Sequence, residues 1–301
     1  MKVSVLGLGQ MGTAIAERLI DAGHTVMVWN RSKGKAGSLV AKGAVELLTP
    51  QQAWSADACI TMLADSAALT EITLGPGGLV SGFPDAEEKF LIDMSTVSPE
   101  SSSEIATAAR KHRVKYLRAP VSGNPGVVRA GNLTIVVSGD QAHCSAAEPL
   151  LRDIGPHVFR AGDGETARIV KLALNLMVAG TAELLAESLT LAEAHGVERG
   201  TLLEIVGASA VGSPFVKYKT EPLLANNFAS TFSTRLMHKD VDLILASAAA
   251  GGVPLPVTGV IHQMLQAGIS TGLANLDFMS LLILLRRGAG LAGWSGSRRI
   301  G

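Results

Sequence analysis

The first 160 residues alternate short apolar runs with amphipathic stretches. Lys2–Leu6, Thr25–Trp29, Ala58–Leu63 and Phe90–Met94 are runs of five or six residues in which apolar side chains dominate. That is the pattern of strands buried on both faces of a parallel sheet. Between them, Thr13–Ala22 and Pro99–His112 place apolar residues at helical spacing. The second of these opens with Ser98 ahead of Pro99, an N-cap followed by a favoured first helical residue. A later strand is predicted over Asn132–Ser138, entered through a turn at Gly131-Asn132. Strand–helix alternation of this kind predicts a parallel sheet covered by helices on both faces.

After Gly164 the rhythm changes. From Glu165 to His195 the chain has no proline and a single glycine, and apolar residues occupy more than one face. Such a stretch predicts a helix of about 46 Å at 1.5 Å per residue. A helix that long needs partners on several sides, and Gly196 is placed to end it. From Thr201 onward only helical patterns remain, separated by breaks such as Gly251-Gly252-Val253-Pro254. The expected architecture is therefore α/β: a domain with a parallel sheet covered on both faces over 1–163, an interdomain helix over 164–195 and an all-helical domain over 196–292. A flexible Gly/Ser/Arg-rich tail over 293–301 completes it.

Composition narrows the function classes. Hydrophobic residues make up 47% of the 301 and charged residues 17%, ample for buried cores and unlike a disordered chain. Lys+Arg and Asp+Glu number 26 each, and no basic block stands out, so nucleic-acid binding is not expected. The N-terminal apolar run breaks at Gly7, too early for a secretory signal. No uninterrupted apolar run reaches the roughly 18 residues of a membrane span. Cys59 and Cys144 are far apart and read as core thiols of a reducing compartment, so a cytoplasmic location is expected. The seven histidines are scattered without H-E-x-x-H spacing, and no metal is expected.

The strongest local signal is Gly7-Leu8-Gly9-Gln10-Met11-Gly12, directly after one predicted strand and opening a predicted helix. The first glycine allows the tight turn, the second lets backbone approach a pyrophosphate, and the third lets helix and strand pack closely. Unpaired N–H groups at the helix start then attract phosphate, so the domain over 1–163 is expected to be a Rossmann-type dinucleotide-binding domain. At the end of the second strand stands Asn30-Arg31-Ser32-Lys33. An NAD-preferring site usually has a carboxylate there; Asn30 removes that repulsion, while Arg31 and Ser32 offer donors to a 2′-phosphate. NADP(H) is therefore expected over NAD(H).

With these motifs in place, the chain resembles the β-hydroxyacid dehydrogenase family, which includes 3-hydroxyisobutyrate dehydrogenase and the glyoxylate/succinic semialdehyde reductases. The resemblance rests on Gly7–Gly12 with Asn30-Arg31-Ser32, and on Asp93-Met94-Ser95-Thr96. It continues through Ala119-Pro120-Val121-Ser122-Gly123 to Gly131-Asn132-Leu133-Thr134, then Gly162–Gly164 leading into Lys171 and Asn175, and finally Lys239-Asp240. It implies that Met62, Leu63 and Thr96 line the nicotinamide-ribose side of the cofactor cleft and that Lys239 closes over the cofactor. It further implies that Ser122 and Gly123, with Asn124 beside them, hold the acid group of a small anionic substrate. By the same resemblance Lys171 is the acid/base and Asn175 orients the substrate. Their spacing of four residues puts both on one face of the long helix. As a base, a lysine at its ordinary pKa of about 10.4 needs burial or a neighbouring charge to lower it.

Two positions depart from the family pattern: Asn124-Pro125 stands where a second glycine is common, and Arg118 where an aspartate is common. Arg118 and Arg129 are read as solvated arginines. An imine reductase on the same plan, and a non-catalytic dehydrogenase-like binding module, remain as alternatives; Lys171 argues against the first, and Lys171 with Asn175 against the second. The apolar surface of the Glu165–His195 helix and of Leu276–Leu285 predicts a homodimer or larger homo-oligomer.

Overall fold

The computed structural model describes residues 1–80 and 89–291, so the predicted tail over 293–301 lies outside the described residues. The chain divides into two compact units, Met1–Leu174 and Asn175–Gly301.

In the first unit, β1 (Lys2–Leu6), α1 (Gln10–Asp21) and β2 (Thr25–Trp29) follow one another as the hydrophobic pattern predicts. They are followed by α2 (Gly37–Val40), β3 (Val45–Glu46), β4 (Ala58–Thr61), α3 (Ser66–Leu74), β5 (Phe90–Asp93) and α4 (Pro99–Lys111). Ser98 caps α4 by accepting from the Ser101 N–H. The unit continues through β6 (Lys115–Arg118), β7 (Val121–Ser122), α5 (Pro125–Arg129), β8 (Thr134–Ser138), α6 (Gln141–Ile154) and β9 (His157–Gly162).

The strands form one sheet in the order β3-β2-β1-β4-β5-β6-β8-β7, with β9 on β8. From β3 to β6 every pairing is parallel; β8 then pairs antiparallel with β6 and β7. The order 3-2-1-4-5-6 is that of a doubly wound dinucleotide fold, with its crevice outside the carboxyl ends of the strands. Two apolar clusters cover the two faces. Ile15, Leu19, Leu150 and Leu151 from α1 and α6 pack on one, and Trp54, Leu69 and Ile105 on the other. Side chains of the same strands alternate between them, Val3 and Val5 to the first and Leu6 to the second.

A single long helix, α7 (Thr166–Ala194), begins in the first unit and continues into the second. The second unit then holds α8 (Arg199–Ala208), α9 (Pro214–Leu224), α10 (Thr234–Ala250), α11 (Pro256–Gly268) and α12 (Leu281–Gly288). Its core joins Phe278 to Phe215 and Phe232. Lys219, only 3% exposed, is bound there by both oxygens of Asp277 at 2.7 Å. Helix α7 is long and apolar enough to cross a membrane by length and composition, by average hydropathy and not by an uninterrupted apolar run. Between Leu172 and Leu189 its only charged residues are Glu183 and Glu187, so mean hydropathy is high although no run is unbroken. Two of its polar side chains meet protein: Arg168 is buried in an ion pair and Asn175 is hydrogen-bonded to Asp240.

Candidate active site

The glycine turn joins β1 to α1. Gly7 has φ +98°, and a Cβ there would stand 2.3 Å from the Met62 carbonyl oxygen. At Gly12 a Cβ would meet the Gly7 oxygen at 1.8 Å, so only glycine lets this helix sit on its strand. Gly9 differs: a Cβ there would meet nothing within 4 Å. The space beside Gly9 is open, and Gly9 caps α1 without a side-chain hydrogen bond. An open cradle at an uncapped helix start fits a dinucleotide pyrophosphate, with Leu8, Gln10 and Met11 supplying the rest of the turn.

Asn30 follows β2, next to that turn. Its Oδ1 accepts from the Leu8 N–H at 2.8 Å, and its Nδ2 donates to the Ser32 carbonyl at 2.9 Å. Both ends of the carboxamide are therefore spent on shaping the loop. Arg31 is different: its side chain is 78% exposed and, among the described residues, has only a 3.8 Å approach to a similarly exposed Glu71. Ser32 is exposed beside it.

Met62 and Leu63 follow β4, and Thr96 follows β5; all three are partly buried. Leu63 donates its N–H to the Ser95 hydroxyl at 2.9 Å. Gly7, Asn30, Met62, Leu63 and Thr96 thus stand at the carboxyl ends of four adjacent parallel strands, where this topology leaves its crevice.

Ser122 ends β7, the strand at one end of the sheet order, and Gly123 at φ +149° packs so that a Cβ would meet Leu133 at 2.9 Å. Asn124 is an N-cap: its Oδ1 accepts from the Val127 N–H at 3.1 Å, at the start of α5. The departure from glycine at this position therefore has a local structural use.

Arg118 corrects the reading of a solvated arginine. It is 7% exposed, its Nε donates to Glu165 Oε1 at 2.8 Å, and its guanidinium lies 4.8 Å from the Tyr116 ring. The pairing with Glu165, 47 residues away, offsets the cost of burial. Arg129 is half-exposed and paired with Glu17 at 2.8 Å.

Lys171 and Asn175 lie four residues apart on α7, one helical turn. Lys171 is partly buried and Asn175 is 6% exposed. The Asn175 Nδ2 donates to Asp240 Oδ2 at 2.5 Å, and Lys239 Nζ lies 2.7 Å from Asp240 Oδ1. Asp240, 1% exposed, therefore links Asn175 and Lys239. The sequence reading gave Asp240 no role; a buried-type position beside a lysine, in helical phase with Met237 and Ile244, is the signal that was present.

Arg168 was also missed. It is 1% exposed, and its Nη2 donates to Asp93 Oδ2 at 2.5 Å and to the Tyr116 hydroxyl at 2.9 Å. Its Nη1 donates to the Ser95 carbonyl at 2.7 Å and its Nε to Ser102 Oγ at 3.1 Å. Asp93 Oδ1 in turn accepts from Thr61 and Ser95, both at 2.6 Å. One turn before Lys171, the helix is bolted to the strand ends that carry Leu63 and Thr96. Charged partners hold the Arg168 guanidinium above even its usual high pKa despite the burial, so it stays charged.

Residues 2–162 match the family model of the NAD binding domain of 6-phosphogluconate dehydrogenase. Residues 162–285 match that of the NAD-binding of NADP-dependent 3-hydroxyisobutyrate dehydrogenase. The chain is 35% identical over 285 residues to the uncharacterized oxidoreductase YfjR of Bacillus subtilis, covering 94% of this chain and 99% of that one. It is 32% identical over 284 residues to the 2-(hydroxymethyl)glutarate dehydrogenase of Eubacterium barkeri, covering 94% of each. Among solved structures, Mycobacterium tuberculosis 3-hydroxyisobutyrate dehydrogenase with L-serine is 27% identical, with a TM-score of 0.82 over 95% of this chain and 99% of that one. An imine reductase from Pseudomonas sp. is 25% identical with a TM-score of 0.63, over 94% and 98%. By its two family models and its full-length relatives, the chain belongs to the β-hydroxyacid dehydrogenase family of NAD(P)-dependent oxidoreductases.

Proposed function

We propose that this protein interconverts a small β-hydroxyacid and its aldehyde or keto acid, with NADP(H) preferred over NAD(H) and Lys171 as the acid/base. The observation that carries the reading is a lysine one turn from a carboxamide that is itself held by a buried carboxylate, Asp240. A bound nicotinamide supplies or accepts the hydride at the carbinol carbon. In reduction the Lys171 ammonium donates its proton to the oxygen that becomes the hydroxyl; in oxidation neutral Lys171 takes that proton back. Asn175, fixed through its Nδ2, orients the reacting group. Ser122 Oγ and the Gly123 N–H donate to the substrate carboxylate. The Gly7–Gly12 backbone holds the pyrophosphate, and exposed Arg31 with Ser32 meets the 2′-phosphate. Met62, Leu63 and Thr96 pack the nicotinamide-ribose, and Lys239 covers the cofactor.

Imine reduction is the second reading, since a solved imine reductase shares the chain's length and plan. The higher TM-score of the 3-hydroxyisobutyrate dehydrogenase, 0.82 against 0.63, supports the hydroxyacid reading, as does Lys171. An oligomer is also supported. Val170, Met177, Leu184 and Leu191 are exposed at a spacing of seven along α7, an apolar stripe suited to a second copy. Light scattering should give a dimer or larger species.

The test is NADPH oxidation with glyoxylate, succinic semialdehyde, methylmalonate semialdehyde and a cyclic imine, on the parent and on Lys171→Ala. The aldehyde acids should turn over, and Lys171→Ala should lower kcat by roughly 100- to 10,000-fold with NADPH affinity kept. Unchanged turnover in folded Lys171→Ala, or activity on the imine alone, overturns the assignment.

A further inference from the structure

The histidines look scattered along the sequence, yet the second unit gathers two of them on one carboxylate. His238 and Asp242 are four apart on α10, so they share a face, and His262 comes from α11, which packs alongside. His238 Nδ1 lies 3.2 Å from Asp242 Oδ2, and His262 Nε2 lies 2.7 Å from Asp242 Oδ1. The two imidazole rings are 4.3 Å apart, and the three candidate ligand atoms lie within 4.8 Å of one another.

We propose that His238, Asp242 and His262 form a binding site for one divalent transition cation of the zinc class. Ligand bonds of about 2.0–2.1 Å set neighbouring donor atoms about 2.8–3.4 Å apart in octahedral or tetrahedral geometry; the 2.7 and 3.2 Å contacts lie close to that range, and the widest separation, within 4.8 Å, closes by side-chain rotation. Two imidazole nitrogens and one carboxylate oxygen suit a borderline cation such as Zn²⁺ over Mg²⁺ or Ca²⁺, which prefer oxygen. Three protein ligands leave positions open to water. The half-buried imidazoles and the outward carboxylate give the ion a way in, with side chains 16%, 22% and 52% exposed for His238, His262 and Asp242. Gln263 Nε2 lies 3.4 Å from His262 Nδ1; with Nε2 of His262 on the metal, a half-turn of that carboxamide would present its oxygen to the Nδ1–H as an outer partner. His238 precedes Lys239 and Asp240 on α10, so a bound cation stiffens the turn that carries them.

This inference does not rest on the proposed reaction, and its test needs no substrate. Full-length protein without a histidine tag, stripped with chelator, is titrated with Zn²⁺ by calorimetry and with Co²⁺ by visible absorption. One equivalent should bind with a Kd of about 1 µM or below, and Co²⁺ should develop d–d bands. Asp242→Asn and His262→Ala should each weaken binding by more than the roughly 10- to 100-fold that an outer-shell change costs. Their metal-free melting temperatures should stay near the parent's. Absence of saturable binding and of d–d bands in the parent overturns the site, as does binding that survives either substitution unchanged. If a variant does not fold, the parent's Co²⁺ spectrum and stoichiometry decide.

Discussion

Two buried charged residues on the same helix, Arg168 and Glu183, have opposite circumstances. Arg168 meets Asp93, the Ser95 carbonyl, Ser102 and Tyr116, and its guanidinium is fully engaged. Glu183, 4% exposed, has no hydrogen-bond partner for either oxygen among the described residues. Burial, and then the charge of Glu187, pushes its carboxyl up to about 7. The difference follows from the secondary structure each residue faces. Strand ends in the first unit release carbonyls and side chains into one place, so a five-donor fork finds acceptors. In an all-helical unit the mid-helix backbone groups are consumed within their own helices, and a buried carboxyl can be met only by a side chain.

The largest effect expected from this comparison is at Arg168. Arg168→Met strands Asp93 in the interior and should cost about 3–5 kcal/mol, the usual loss when one partner of a buried pair is removed. Chemical denaturation of the variant measures it. Arg168→Lys should recover little, because an ammonium cannot span four acceptors as a fork does. A loss below about 1 kcal/mol would falsify the view that this network anchors the start of α7.

Glu183 should give a smaller and pH-dependent effect. Its folded-state pKa of about 7 lies above the carboxyl's ordinary 4.5, so the folded chain holds the proton more tightly than the unfolded chain. Between those values the unfolded state binds fewer protons, and stability falls as pH rises. Below pH 4.5 the penalty is absent; above pH 7 it is fully present. Glu183→Gln should therefore match the parent near pH 4 and be about 1–3 kcal/mol more stable near pH 8. Melting temperatures across that range check it. A parent that is flat from pH 4.5 to 7.5, with a destabilised Gln variant, means that the carboxylate has a charged partner in the assembled protein.

What was legible in the sequence tracks this contrast. β1 and β2 were readable residue for residue because strands buried on both faces carry near-continuous apolar runs. β6 was not, because Lys115 and Arg118 bracket it and the Glu165 that makes Arg118 buriable lies 47 residues on. β9 is largely exposed, so it has no apolar signature, and α6 contains Pro149, a residue that argues against a helix. Within the site, the glycine turn announced itself because its chemistry is local. The Asp93–Arg168 and Asn175–Asp240 pairs did not, since each joins residues 65 or more apart.

The smallest expected effect on stability, and the sharpest on specificity, is at Arg31. Asn30 stands beside it but resembles Arg168 in being fully used, so Asn30→Asp removes the Nδ2 donor to Ser32 and perturbs the turn itself. Among the described residues Arg31 has only a 3.8 Å approach to exposed Glu71, a contact of a kind worth little in water. Arg31→Ala should leave the melting temperature unchanged within the scatter of surface substitutions, about ±0.5 kcal/mol. If its guanidinium meets the 2′-phosphate, the same change should lower the NADPH-over-NADH ratio of kcat/KM by roughly 10- to 100-fold, the loss of one charged hydrogen bond. NADH kinetics should barely move, because that cofactor lacks the phosphate. An equal fall with both cofactors would assign Arg31 to the shape of the loop, and a parent that already favours NADH would remove the case for NADP(H) altogether.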